Sequence, residues 1–187
     1  MTPSLQFPPH APPLPWTAAV NVDEAIRTRR THKVYRPDPV PREQLDQLFE
    51  LARWAPNHHL TNPWRFRVPG PRSLEVLKQA HPEGAAKLDR APTLVVCSVV
   101  QTGDEAQDEE DVAAGACAVY AIMLAAHARG IASYWRTPGV LRSAEGRAAA
   151  GVGDDEHVLG LLHLGYADRD WQPPARLEPS GFVQYLD

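Results

Sequence analysis

The sequence predicts an α+β fold, with helices around a mixed central sheet and a second copy of the chain completing the core. Short apolar or alternating runs at 64–68, 93–100, 131–135 and 157–166 read as strands. Five or six helical segments fall among them without a regular β–α alternation, which argues for α+β layers. Residues 112–128 are apolar nearly all round, so that helix requires cover on every side. In a domain of this size a second subunit is the expected cover.

The elements follow in chain order. Residues 1–20 are proline-rich and predict an extended or disordered arm, leaving 21–187 as one domain. Asn21 and Glu24 fit a capping box, with Val22, Ile26 and Arg29 following at helical spacing. Pro41 opens a second helix, whose apolar stripe is Leu45, Leu48, Phe49 and Ala52, and Ala55-Pro56 ends it. "WRFRV" (64–68) alternates like a strand, and "LEVLKQA" (74–80) reads as a short helix. "TLVVCSVV" (93–100) is continuous and β-branched, as in a central strand. The acidic stretch "DEAQDEED" (104–111) reads as a solvated helix start, where carboxylates meet the positive end of the dipole. Arg129-Gly130 closes the long helix. "IASYW" (131–135), "SAEGRAAAG" (143–151) and "HVLGLLHLGY" (157–166) predict a strand, a helix and a buried strand.

Composition narrows the classes. A net charge of −4 and a pI near 6.0 argue against a general nucleic-acid binder. The N-terminus lacks the basic region and apolar stretch of a signal peptide, and the apolar window at 112–128 is short and alanine-rich for a membrane span. Cys97 and Cys117 each sit in an apolar run, which predicts buried thiols and suits a reducing, cytoplasmic setting.

Three stretches carry candidate chemistry. In "AIRTRRTHKVY" (25–35), Arg29, Arg30 and Thr31 supply two guanidinium forks and a hydroxyl within one turn. They read either as cations at a helix C-terminus or as a grip on a phosphate dianion. In "APNHHLTNPW" (55–64), Asn57, His58 and Asn62 offer polar groups to a heteroaromatic ligand, or simply form a Pro-bounded surface loop. His58 and His59 are adjacent, so their side chains are expected to point apart, and zinc is not expected. In "YWRTPG" (134–139), a strand end presents Trp135, Arg136 and Thr137. His127 and His163 lie in apolar segments and read as satisfied core histidines. No dinucleotide-binding glycine motif, phosphate loop, nucleophile elbow or zinc-protease motif is present, and no acid–base pair stands out. An enzyme built this way would rely on a cofactor for its chemistry.

In their order and spacing, Arg29-Arg30-Thr31, Ala55-Pro56-Asn57-His58 with Asn62-Pro63-Trp64, and Trp135-Arg136-Thr137 with Gly139 resemble the short members of the nitroreductase family. The closing "GFVQYL" (181–186) is similar to the end of those chains. The resemblance spans residues 22–187 and implies an intertwined homodimer with two FMN sites shared between subunits. It gives Arg29, Arg30 and Thr31 to the FMN phosphate and nearby polar atoms. Lys33 or Arg29 would lie near the flavin N1/O2 edge, Trp54 and His58 would reach over from the other subunit, and Trp135, Arg136 and Thr137 would line the pocket. The segment Ala125, Ala126, His127, Ala128, Arg129 and Gly130 would meet the nicotinamide nucleotide.

The implied activity is ping-pong: NADH or NADPH reduces the flavin by hydride transfer, and a nitroaromatic, quinone or similar small acceptor then takes the reducing equivalents. Neither nucleic acid nor membrane is an expected partner. Asn57, His59 and Pro138 depart from the usual family pattern and bear on the substrate. A flavin carrier or redox sensor without turnover, a flavin enzyme of dehalogenating or flavin-fragmenting type, and a non-flavin binding module for acidic partners remain alternatives.

Overall fold

The computed structural model describes residues 21–169, 172 and 174–186; the proline-rich arm lies outside them. Helix α1 spans Val22–Thr28, α2 Arg42–Ala52, α3 Pro71–Ala80, α4 Glu105–His127 and α5 Ala144–Ala149. The strands are β1 Trp64–Arg67, β2 Thr93–Val100, β3 Ala132–Arg136 and β4 Glu156–Gly165. They form one sheet in the order β1-β2-β4-β3, and each neighbouring pair is antiparallel. Where the sequence predicts a mixed sheet, the parallel contribution is the isolated bridge Thr31–Ser133, by which the chain after α1 joins the free edge of β3. The His32 amide donates to the Ser133 carbonyl there.

Capping residues act as their types dictate. Asn21 accepts from the Glu24 amide at 2.8 Å, Asp104 from Gln107 at 3.0 Å and Ser143 from Gly146 at 3.1 Å. Pro41 is the residue before α2 and not its first turn, since its ψ of 147° is extended.

The sheet separates two cores. On one side Val95, Cys97, Leu162 and Leu164 pack on Leu45 and Leu48 of α2 and on Ala118, Val119 and Ile122 of α4. On the other, Leu94, Val96 and Leu161 pack on Leu77 of α3 with Val140, Leu141 and Ala150. Alternation along a strand therefore decides which side each site residue occupies.

Helix α4 is buried on one side only within the protomer. Ala114, Gly115, Ala118, Val119, Ile122 and Ala126 face the sheet, whereas Ala113, Cys117 and Tyr120 are exposed. At 23 residues it is long enough to cross a bilayer, but half of its most apolar window is packed inside the protomer. Cys117 corrects the expectation of two buried thiols: it sits on the outer face of α4, where helical rotation carries it away from the sheet. Cys97 is enclosed, and burial pushes its thiol up to about 12.

A partly buried ion pair ties three strands together. Arg67 of β1 donates to both Glu156 carboxylate oxygens, at 2.9 and 2.5 Å. Ser98 of β2 donates to the same carboxylate, and the Gly153 amide approaches it at 3.2 Å. Burial raises the Glu156 carboxyl, but these hydrogen bonds outweigh it and leave it below the ordinary value of 4.5. The folded value is the lower one, so its contribution is complete above pH 4.5 and fades as pH falls through the folded value. Glu156→Gln should cost about 3 kcal/mol at neutral pH, because Arg67 is left without its anion. Urea unfolding from neutral pH downward checks this: the wild-type advantage over the variant should shrink on the acid side.

Candidate functional site

The candidate residues gather in three places. The first is where α1 ends beside α4. Arg29 caps α1, donating its amide to the Ala25 carbonyl at 2.9 Å, and its guanidinium lies 5.7 Å from the ring centre of Tyr120 on α4. Arg27 occupies the last turn of α1 and Arg29 its C-cap, so both lie at the end of the helix dipole that favours a cation. Nε and Nη1 of Arg29 and Nη1 of Arg30 are buried, with no hydrogen-bond partner among the described residues. Leaving such charged donors unmet is costly, and a bound anion would relieve that cost. Ser133 Oγ, on the α4 side of β3, is equally unmet, and the Thr31 side chain is exposed beside it.

His127, near the end of α4, borders the same cluster. The Thr28 hydroxyl proton goes to the Glu24 carbonyl at 2.6 Å, so the contact at 2.8 Å is His127 Nε2 donating to Thr28. Burial and then the charges of Arg30 and Arg29 hold the imidazole below its ordinary value. The chain leaves the helix end through Gly130, whose φ of +70° is left-handed. His127 thus brings the end of α4 beside the two arginines.

The second place is the loop after α2. Trp54 and Leu60 are 62% and 72% exposed, respectively. His59, Leu60 and Asn62 all have positive φ, a conformation that costs non-glycine residues energy. The His58 and His59 rings stack 3.8 Å apart, contrary to the expectation that they diverge, because the left-handed turn at His59 brings both to one side. Asn57 accepts from the Asn62 amide at 3.0 Å, and the Asn62 side chain donates to Leu60 at 2.6 Å. The acidic start of α4 holds the loop. His58 Nδ1 lies 2.5 Å from Glu110, and Thr61 donates to Asp111 at 2.6 Å. Asp111 is 1% exposed. Its burial corrects the expectation of a solvated acidic stretch; its position about two turns past the cap, facing the loop, is what the charge pattern alone conceals.

The third place is the far side of β3. Trp135 points toward α4, its indole donating to the Leu159 carbonyl at 3.1 Å. Its neighbours Tyr134 and Arg136 point the other way. Lys33 joins them, 5.8 Å from the Tyr134 ring centre. His163 stacks on Tyr134 at 5.4 Å, is 1% exposed, and has no partner for either ring nitrogen among the described residues. That corrects the expectation of a satisfied core histidine: the apolar strand that buries it supplies no polar group in reach. Burial, then Arg136 and Arg90, push it down to about 4. Sequence reasoning missed Arg90, Ser133, Glu110 and Asp111. Strand alternation could have signalled Ser133, while the other three depend on tertiary contacts.

A comparison of the chain with known families matches the nitroreductase family over residues 26–166. The "Putative NAD(P)H nitroreductase YfhC" of Bacillus subtilis is 26% identical, covering 78% of this chain and 84% of that protein. The "Putative NAD(P)H nitroreductase YdjA" of Escherichia coli is 27% identical, covering 86% and 96%. A nitroreductase-like protein of Bacillus cereus superposes with a TM-score of 0.82 at 22% identity, covering 91% and 98%. The FMN and NADPH-dependent nitroreductase NfnB of Sphigopyxis sp. strain HMH superposes with a TM-score of 0.75 at 18% identity, covering 90% and 100%.

Trp135 keeps its orientation through a bulge in β4. The register shifts between Cys97 and Ser98, leaving Leu159 as the extra residue. Gly160 beside it has φ +137°, and a Cβ there would approach the Arg136 carbonyl to 2.7 Å and Trp135 Nε1 to 2.9 Å. Gly160→Ala should therefore lower stability by more than about 1 kcal/mol, read as a lower urea midpoint at unchanged slope.

Proposed function

The chain belongs to the nitroreductase family, and we propose that it is an FMN-dependent NAD(P)H oxidoreductase whose flavin phosphate is held by Arg29 and Arg30. The carrying observation is the set of buried, unmet guanidinium atoms on these two residues. A phosphate dianion accepts from several N–H groups at once, and two guanidinium forks match its geometry. Thr31 and Ser133 stand next to the pair with further hydroxyl groups. When bound, FMN supplies a hydride acceptor and donor, serving NAD(P)H oxidation and the reduction of a nitroaromatic, quinone or similar small acceptor in turn.

The remaining residues position and enclose. Trp135, fixed by Leu159, forms a wall on the α4 side of β3, with Thr137 exposed beyond it. The exposed face of α4, with Ala113, Cys117 and Tyr120, is the surface a second copy would cover. Tyr120 carries Arg29 on that same face, so dimer contact and phosphate grip would be neighbours. Trp54, Asn57, His58 and Asn62 project from an exposed, internally braced loop and would complete the other subunit's site. The nicotinamide nucleotide would approach along Ala125–Gly130, beside His127. Lys33 and Arg136 surround Tyr134 on the opposite side of β3 and do not enter the proposed phosphate grip.

Purified, dialysed protein should show the two visible absorbance bands of an oxidised flavin, and these should bleach under anaerobic NADPH or NADH. Bands that persist with both nucleotides would favour a carrier or sensor. No bands after incubation with FMN would overturn the proposal. Arg29→Ala should weaken FMN binding by about tenfold or more, as expected for one charge-assisted hydrogen bond to phosphate; an unchanged dissociation constant in a flavin-fluorescence titration would remove Arg29 from the site.

A further inference from the structure

Strand β3 runs out through Thr137 and Pro138 into a helical turn, Gly139–Arg142. The far end of that turn is anchored. Val140 and Leu141 are buried in the core they share with Leu77 of α3. Thr137 and Gly139 are exposed. Gly139 therefore stands between the anchored turn and the end of β3, and the side chain that meets it is His81, from the end of α3.

His81 sits on a firm base. Its amide donates to the Lys78 carbonyl at 3.3 Å, and its own carbonyl accepts from the Gly84 amide at 3.0 Å. Leu77, one turn earlier, is fully buried. The half-buried imidazole lies between two glycines that are far apart in sequence. A Cβ at Gly84 would fall 2.4 Å from its Cδ2 and 2.9 Å from its Nε2. A Cβ at Gly139 would fall 2.9 Å from Nε2 and 3.3 Å from Cε1. These separations are well inside ordinary contact distance. Neither glycine has a left-handed backbone, so conformation does not call for glycine at either place. The missing side chains are what admit the ring. Close-packed groups transmit displacement, because the interior has little slack to absorb it.

We propose that His81 is a positioning residue for the flavin site: its ring, backed by Gly84, fixes Gly139 and through it the place of Thr137 at the end of β3. The role rests on the flavin reading above. It acts by contact and not by charge, and neither His81 nor Gly84 is among the residues assigned to the flavin. It also gives the glycine of "YWRTPG" a reason, since any side chain there would displace the ring.

Flavin-fluorescence titration of the full-length protein with FMN tests the proposal, on the wild type, Gly84→Ala, His81→Ala and the double variant, with urea midpoints measured alongside. Gly84→Ala pushes the ring toward Gly139 and should weaken FMN by about threefold or more. His81→Ala leaves Gly139 unsupported and should also weaken FMN. In the His81→Ala background, Gly84→Ala should have no further effect on FMN, because no ring is left to carry it. A purely structural role predicts lowered urea midpoints with FMN affinity intact, and that result would overturn the proposal. So would two losses that simply multiply in the double variant. If Gly84→Ala does not fold, His81→Ala decides alone, and wild-type FMN affinity in that variant would overturn the role. A wild type that takes up no FMN overturns the flavin reading and this role together; a wild type that binds FMN while the variants bind it equally well overturns this role alone.

Discussion

The close approach of α4 to the sheet is the constraint on which the rest depends. Gly115 permits it, since a Cβ there would run into the Val99 and Leu159 side chains. With the helix seated at this depth, each part of it has a separate task. Its first two turns brace the loop after α2 through Glu110 and Asp111. Its inner face fills one core. Its outer face carries Tyr120, over which Arg29 lies. Its end meets the end of α1 through His127 and Thr28. One helix therefore relates the loop, the arginine pair and the segment 125–130 to one another.

Much of this was legible in the sequence, and for physical reasons. Strand β2 is continuous and β-branched, and it is central. Asn21, Asp104 and Ser143 cap helices because their side chains compete for free amides. The apolar girth of 112–128 showed a helix with two faces to cover, and the protomer covers one. What could not be read depends on contacts between distant residues. Nothing in "DEAQDEED" distinguishes Asp111, buried under Thr61, from the exposed Asp104. Nothing in "NHHL" signals a left-handed turn, because the strain is sustained by partners elsewhere. Arg90 lies in a loop with no periodicity to place it beneath β3.

The arginine motif is the clearest case of sequence and structure answering different halves of one question. The sequence shows that cations are concentrated at 27–33 in an acidic chain. Only the fold shows that Arg29 lies by Tyr120 of α4 and that buried nitrogens of Arg29 and Arg30 lack a hydrogen-bond partner among the described residues, while Lys33 lies by Tyr134. One charged run thus meets two different partners, Arg29 toward Tyr120 and Lys33 toward Tyr134.

The central claim is that Arg29 and Arg30 are held unpaired for the phosphate of a flavin mononucleotide. Comparing the affinities of the protein for FMN and for riboflavin, which has the same ring and ribityl chain without the phosphate, tests it most directly. Two guanidinium groups and their charge-assisted bonds predict that FMN binds at least about a hundredfold more tightly, with the difference shrinking as salt rises. Equal affinities at low salt would contradict the assignment.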